Sequence, residues 1–256
     1  MKWDYRRLCQ FISMGLAVIG LSLQPGITLA EERVVAVEDK DYAPYYVWID
    51  GEPTGPCIDL VTGAFALMGD TVTFKRFPWS RVLRSVQDQK VDAGLCGTRS
   101  DERESYSFYP EEPLLIYDAT LFVRSESDWQ SADPAAMSGL SFAMVKGYSF
   151  GGIESDLEAA GMIRVEAANR EALWKLLLVG RVDTVLDSVL PMVADTTRMG
   201  KRGEIRPVYP SMAETPGYLF FSRAPANEAL AREFSEALKA FKKTPEYTRL
   251  AEKYGL

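Results

Sequence analysis

The spacing of apolar residues predicts alternating strands and helices in the first third of the chain. Residues 33–38 have the composition of a strand, and apolar residues then recur at helical spacing from Ile58 to Met68, before a stop at Gly69. Between them, residues 39–56 form a loop rich in Tyr, Pro, Gly and Asp. The elements that follow are a strand at 71–77, a helix at 78–89 that begins with Pro78 and a buried strand at 91–95. This alternation indicates a parallel sheet covered by helices.

A comparable series begins again after residue 123. Its predicted elements are a strand at 140–145, a helix at 153–160, a strand at 164–166, a helix at 171–179 and a buried strand at 182–186. A last strand at 218–222 precedes a helix at 227–243, whose apolar residues share one face. The chain is therefore predicted to form two similar α/β lobes.

The first thirty residues have the pattern of a signal peptide. Lys2, Arg6 and Arg7 precede the apolar run 11–23, and small residues lead to a cleavage site near Ala30. The run is shorter than the roughly 20 residues of a spanning helix. We therefore expect an exported, periplasmic protein. The Arg6-Arg7 pair leaves general secretion and twin-arginine export both open.

The amino-acid composition excludes several kinds of functional site and partner. The 256 residues contain no histidine, which excludes histidine-based triads and most zinc sites, so we expect neither metal nor cofactor. A formal net charge of −7 argues against nucleic acid and anionic membranes as partners. Cys57 and Cys96 are the cysteines that follow the leader, and a disulfide and two buried thiols are both open.

A series of short motifs resembles the extracellular solute-binding proteins of family three, the polar amino-acid-binding type. The motifs are Asp39-Lys-Asp-Tyr-Ala-Pro-Tyr45, Gly55-Pro-Cys-Ile-Asp-Leu60, Pro78-Trp79, Val91-Asp-Ala93, Thr98 through Arg103, Lys146-Gly-Tyr-Ser149 and Gly180-Arg-Val-Asp183 with Asp187. The resemblance implies a two-lobed type II periplasmic-binding-protein fold with the ligand in a cleft. It places lobe one at 31–122 plus 222–256 and lobe two at 123–221. The connecting strands would cross near 121–124 and 218–222.

The resemblance assigns a ligand carboxylate to Arg103, whose planar guanidinium can form two parallel hydrogen bonds with it. The alternative is a surface arginine among acidic neighbours. Thr98 would offer its hydroxyl to the same carboxylate, and Gly97 would leave room for a close backbone approach, although Gly97-Thr98 is also typical of a turn.

The resemblance also assigns the ligand's α-ammonium to Asp187, whose alternative role is to cap a helix. Ser149 is expected at a helix N-terminus, where it would either meet the carboxylate or only cap the helix. Asp183 is interpreted as structural.

Trp79 and Tyr42 match positions that sandwich the ligand's side chain, with burial in a core as the alternative. Asp39 and Tyr45 would contact the distal end of the ligand, and a single Asp39 favours a basic or neutral ligand. Cys57 replaces an acidic or polar residue common in the family, which leaves the ligand's identity open.

The function implied is capture of a small amino-acid-like solute by a monomer that closes on it and serves an inner-membrane ABC permease. One alternative is an enzyme resembling cyclohexadienyl dehydratases, with Glu38, Asp39 or Asp187 as its acid. Another is a soluble sensor or accessory protein that serves a membrane kinase or dehydrogenase.

Overall fold

The computed structural model describes residues 30–129, 136–209 and 211–256. The predicted signal peptide therefore lies outside the described residues, apart from Ala30. The strands are β1 (Glu32–Glu38), β2 (Val47–Ile49), β3 (Glu52–Thr54), β4 (Thr71–Phe77), β5 (Ala93–Gly97), β6 (Ser107–Phe108), β7 (Leu115–Arg124), β8 (Ser141–Val145), β9 (Ile163–Ala167), β10 (Thr184–Ser188), β11 (Ile205–Pro207) and β12 (Ala213–Ser222). The helices are α1 (Pro56–Met68), α2 (Trp79–Gln87), α3 (Asp101–Glu104), α4 (Ile153–Ala159), α5 (Arg170–Leu178), α6 (Val189–Arg198), α7 (Asn227–Phe241) and α8 (Pro245–Tyr254).

Ten of the described strands form one long sheet in the order β4-β1-β5-β12-β7-β10-β8-β9, with β6 beside β12 and β11 beside β7, and β2 and β3 form a separate hairpin. β1 pairs in parallel with β4 and β5, and β8 pairs in parallel with β9 and β10. Each half of the sheet therefore places its first strand in the middle, its second at the edge and its third toward the centre. This repetition agrees with the two similar α/β units predicted from the apolar spacing.

The antiparallel strands β7 and β12 join the two halves. Residues 115–119 of β7 pair with residues 213–217 of β12, while the later residues of β7 pair with β10 and β11. The later residues of β12 pair with β5 and β6 of the first half. The strands therefore cross a few residues before the predicted 121–124 and 218–222. The exact lobe boundaries stay a prediction.

Helix α1 shows how local sequence sets an element's ends. Pro56 stands in its first turn, where the missing N–H costs no intrahelical hydrogen bond. Gly69 ends it with a left-handed φ of 84°, a conformation glycine adopts without strain. Its buried face packs on α7, where the Phe65 and Phe234 rings lie 5.0 Å apart. Helix α7 thus returns to the first half of the sheet.

Helices cover both faces of each half, and the buried apolar residues fall into four clusters. Tyr148 packs against all four. Across the described parts of the chain, no helix has the length and apolar character needed to cross a membrane.

Candidate functional site

A small cavity lies where the two halves of the molecule meet. Six of its thirteen lining residues are aromatic, and five have polar or charged side chains. Its lining residues are Glu38, Tyr42, Tyr46, Trp79, Leu95, Cys96, Thr98, Arg103, Tyr117, Tyr148, Ser149, Phe150 and Ser188. Five of the predicted ligand residues are among them: Arg103, Thr98, Ser149, Trp79 and Tyr42.

Polar groups of the first half donate to backbone carbonyls of the second half. The Thr98 hydroxyl donates to the Ser149 carbonyl at 2.7 Å. The Gly147 carbonyl accepts from Arg103 Nη2 at 2.5 Å and from Trp79 Nε1 at 3.0 Å. These donors therefore converge on oxygen atoms held across the cleft.

Two further hydrogen bonds cross the cleft between side chains. The Tyr148 hydroxyl donates to Glu38 Oε2 at 2.8 Å, and the hydroxyls of Tyr42 and Ser188 lie 2.8 Å apart. The Tyr148 ring also meets the Trp79 ring edge-on, with centroids 5.6 Å apart. The segment 147–149 thus fills the space between the halves.

Arg103 is 3% exposed, which rules out the surface-arginine alternative. It stands on the short helix α3, where the Ser100 hydroxyl accepts from its backbone N–H at 3.3 Å. Its Nη1 donates to the Thr98 carbonyl at 2.7 Å and to the Thr98 hydroxyl at 3.1 Å, and its guanidinium stacks 5.3 Å from the Trp79 ring. The guanidinium and the Thr98 hydroxyl are thus held as one rigid donor group.

Of the residues that the structure describes, Glu38 is the single carboxylate in the cavity lining. Burial raises the pKa of Glu38 to about 7, more than the Tyr148 hydrogen bond and the Arg170 charge lower it. A carboxyl group with such a pKa can donate as well as accept a proton near neutral pH.

Asp187 is fully buried at the end of β10 and lies outside the cavity lining. Both of its oxygens accept from Arg170 Nη1, at 2.7 and 2.6 Å, and Oδ1 also accepts from the Ser188 N–H at 2.8 Å. Its predicted role toward a ligand ammonium stays a prediction, and any such ligand would compete with Arg170.

Other predicted residues have different surroundings. Asp39 is half-buried, with its carbonyl accepting from Arg76, and Tyr45 packs 4.6 Å from the Tyr117 ring in the core. A Cβ atom on Gly97 would lie 2.4 Å from the Phe220 ring, so this glycine makes room for an aromatic side chain. Asp183 joins strand ends by accepting from Ser141.

Ser149 differs from its predicted position at a helix N-terminus. The helix α4 begins at Ile153, after Gly152 in a left-handed conformation. The Ser149 hydroxyl donates instead to Glu154 Oε1 at 2.8 Å, and Glu154 Oε2 accepts from the Phe150 N–H at 3.1 Å. Glu154 thereby reaches back from the first turn and fixes the segment that faces the cavity.

Cys57 and Cys96 are joined as a disulfide, with Cα atoms 7.0 Å apart. The bond ties the first turn of α1 to the end of β5, beside the cavity. Within residues 30–129, 136–209 and 211–256, no cluster of side chains has the composition of a metal site.

Sequence reasoning missed Arg170 and the roles of Tyr46 and Tyr117. Arg170 opens α5, where its positive charge opposes the helix dipole. This unfavourable placement is the sequence signal that could have indicated an ion pair with residues outside the helix.

The cavity of about 30 Å³ has room for one or two water molecules and is far smaller than a typical ligand site. An open groove of about 780 Å³ lies outside it, and Arg103, Tyr148 and Ser149 line both spaces. A solute can therefore reach the inner groups only if the segment 147–149 moves away from the first half.

The two-lobed sheet, with donors converging on a cleft between the halves, defines a ligand-binding protein of the type II periplasmic-binding fold. Residues 34–256 match the model of the bacterial extracellular solute-binding proteins, family 3, and the chain belongs to this family.

Solved structures support the same fold. An ancestral arginine-binding protein bound to arginine is 20% identical, with a TM-score of 0.73, over 87% of this chain and 97% of that one. A histidine kinase sensor domain similar to periplasmic binding proteins is 22% identical, with a TM-score of 0.72, over 87% and 95%. The arginine-, lysine-, histidine-binding protein ArtJ from Geobacillus stearothermophilus is 19% identical, with a TM-score of 0.70, over 87% and 94%. No curated protein sequence matches the chain.

Proposed function

We propose that this protein is a periplasmic, monomeric carrier that captures a small amino-acid-like solute by lobe closure and delivers it to an inner-membrane ABC permease. The observation that carries the proposal is the donor group of Arg103 and Thr98, which is buried between the halves and directed at oxygen atoms across the cleft. A solute carboxylate presents the same kind of acceptor as the carbonyls of Gly147 and Ser149.

The exchange of acceptors provides a mechanism for closure. When the halves separate, Arg103, Thr98 and the Trp79 indole lose their carbonyl partners and become available to a solute. A carboxylate that bridges Arg103 and the segment 147–149 would favour the closed state through contacts made in that state alone. The aromatic wall of Tyr42, Trp79 and Tyr148 would enclose the rest of the solute.

The Arg103→Ala variant tests the proposal. It should abolish solute binding in a thermal-shift or calorimetric screen of small carboxylic solutes, because no other lining side chain in the described part of the chain supplies a guanidinium fork. Arg103→Lys, which keeps the charge and loses the fork, should bind weakly. Arg84→Ala is the matched control, since the Arg84 side chain is 72% exposed on α2. Unchanged affinity in Arg103→Ala would contradict the proposal.

Glu38 favours a second candidate function, a dehydratase-like enzyme. Its buried carboxyl, with a pKa of about 7, has the properties of a general acid facing an aromatic cavity. Product formation from prephenate that disappears in Glu38→Gln would support the enzyme. Binding without turnover would support the carrier.

A further inference from the structure

The carboxylate expected to receive a cation is already neutralised by the protein itself. Asp187 accepts two hydrogen bonds from Arg170 Nη1 and one from the Ser188 backbone, and it has no exposed surface. Charge-assisted hydrogen bonds are strong in a dry interior, where the alternative for either partner is an unpaired buried charge. A ligand ammonium would have to displace this arginine.

Arg170 is held firmly in place. It is 4% exposed at the start of α5, where the Asn169 side chain accepts from the Ala172 N–H at 2.9 Å. Its Nε donates to Asp195 Oδ2 at 3.0 Å. Burial lowers the pKa of Arg170, but the carboxylates of Asp187 and Asp195 raise it further, to a value above the ordinary one. Arg170 is therefore a fixed cation.

One donor of Arg170 remains without a partner. Among the described residues, its buried Nη2 has no hydrogen-bond acceptor, and an unsatisfied buried donor is unfavourable. The guanidinium lies 5.2 Å from the ring of Tyr42, which lines the cavity. Its charge also acts on Glu38 and Tyr148, two further lining residues. Arg170 is thus one layer behind the cavity lining, covered by Tyr42 of the first half, so separation of the halves would open the free donor to the cleft.

The cavity and the layer behind it therefore offer hydrogen-bond donors to oxygen atoms. Arg103 lines the cavity from the first half, and Arg170 lies behind Tyr42 with an unpartnered N–H in the second half. Glu38, the carboxylate in the lining, already accepts from Tyr148 and lies in the field of Arg170. A zwitterionic amino acid would bring its ammonium toward the unpartnered N–H of Arg170, so that a donor would face a donor, while Asp187 and Asp195 already accept from the same guanidinium.

We propose that the cleft selects small organic acids that carry an oxygen acceptor, a hydroxyl, oxo or carboxylate group, where an amino acid carries its ammonium. The acid's carboxylate binds Arg103, and its second oxygen accepts from Nη2 of Arg170. This inference rests on the proposed function, because it names the chemical class of the captured solute.

Matched solute pairs test the inference. The purified protein is titrated calorimetrically with L-phenylalanine against L-3-phenyllactate, L-alanine against L-lactate, and L-arginine against its 2-hydroxy analogue, with pyruvate and succinate added. In at least one pair the dissociation constant of the hydroxy acid should be lower than that of the amino acid by about tenfold or more. Pyruvate and succinate show whether an oxo group or a second carboxylate serves equally well.

Two variants connect the preference to Arg170. Arg170→Met frees Asp187 and should reverse the preference toward the amino acid, whereas Arg181→Met, an exposed arginine of the same lobe, should leave it unchanged. If Arg170→Met does not fold, the double variant Arg170→Met, Asp187→Leu removes both charges together. It should bind both members of a pair with similar affinity.

The outcomes separate the two levels of the proposal. Tighter binding of the amino acid by the unaltered protein, or an unchanged preference in the folded Arg170 variants, overturns the inference and leaves solute capture standing. If the unaltered protein binds neither the amino acids nor the organic acids, the inference and the proposed function are both overturned.

Discussion

Replacing the buried carboxyl group of Glu38 with an amide should make the protein's stability less dependent on pH. Burial raises the pKa of Glu38 from 4.5 to about 7, and the nearby carboxylates of Asp39 and Asp187 add to the rise. The hydrogen bond from Tyr148 and the charge of Arg170 act in the opposite direction. The folded protein therefore keeps a proton on Glu38 in a pH range where the unfolded chain has lost it.

The sign and size of the effect follow from proton linkage. Between pH 4.5 and about 7 the folded state binds one proton more than the unfolded state, so the free energy of unfolding falls as the pH rises. Because each pH unit changes the free energy of unfolding by about 1.4 kcal/mol, the protein loses about 3 kcal/mol of stability across this pH range. This contribution is fully present below pH 4.5 and is lost once the pH exceeds about 7.

Urea unfolding at a series of pH values measures the effect. Glu38→Gln keeps an acceptor for the Tyr148 hydroxyl and cannot ionise. Its free energy of unfolding should equal that of the unaltered protein near pH 4.5 and exceed it by about 3 kcal/mol above about pH 8. The exposed Glu52→Gln on β3 is the control and should follow the unaltered protein throughout. A stability difference between Glu38→Gln and the unaltered protein that is constant with pH would refute the reasoning.

Two further predictions concern the frame around the site. Replacing Cys57 and Cys96 with serine should cost about 4 kcal/mol in urea unfolding, because the bond closes a loop with a sequence separation of 39; two free thiols in the unfolded, unreduced processed protein would contradict the bond. Gly94→Ala places a Cβ atom 2.3 Å from the buried Phe220 ring and should cost about 2 kcal/mol. Gly203→Ala, with open space at the same position, is its control, and equal melting temperatures for the two variants would show that the ring can move aside.

Much of the fold could be predicted because the signals that define its strands and helices are local in the sequence. The strand at 71–77 has its predicted bounds and helix α1 has its predicted end before Gly69, because the apolar period and the stop signal are local in the sequence. The hairpin of β2 and β3 was missed although Asp50-Gly51, both with positive φ, is a strong turn signal. Helix α6 was missed although Ser188 stands at its N-cap, because its first turn follows the buried strand β10 without an intervening loop.

The residues of the candidate site could be predicted only in part. Arg103, Thr98, Trp79 and Tyr42 were selected from motifs, and the structure brings them to one cavity. Gly97 and Asp39 belong to the same motifs and lie outside its lining. Neighbouring residues on a strand or loop point in different directions, so a motif identifies a region more reliably than it identifies a contact.

Most of the alternating strands and helices, the repetition of one α/β unit and the absence of histidine chemistry follow from composition and local period. Which charges meet depends on the packing of elements that are distant in sequence. Arg170 and Asp187 are 17 residues apart on a helix and a strand, and each alone has an ordinary surface or capping interpretation. Their pairing depends on how α5 packs beside β10, which buries both side chains against each other.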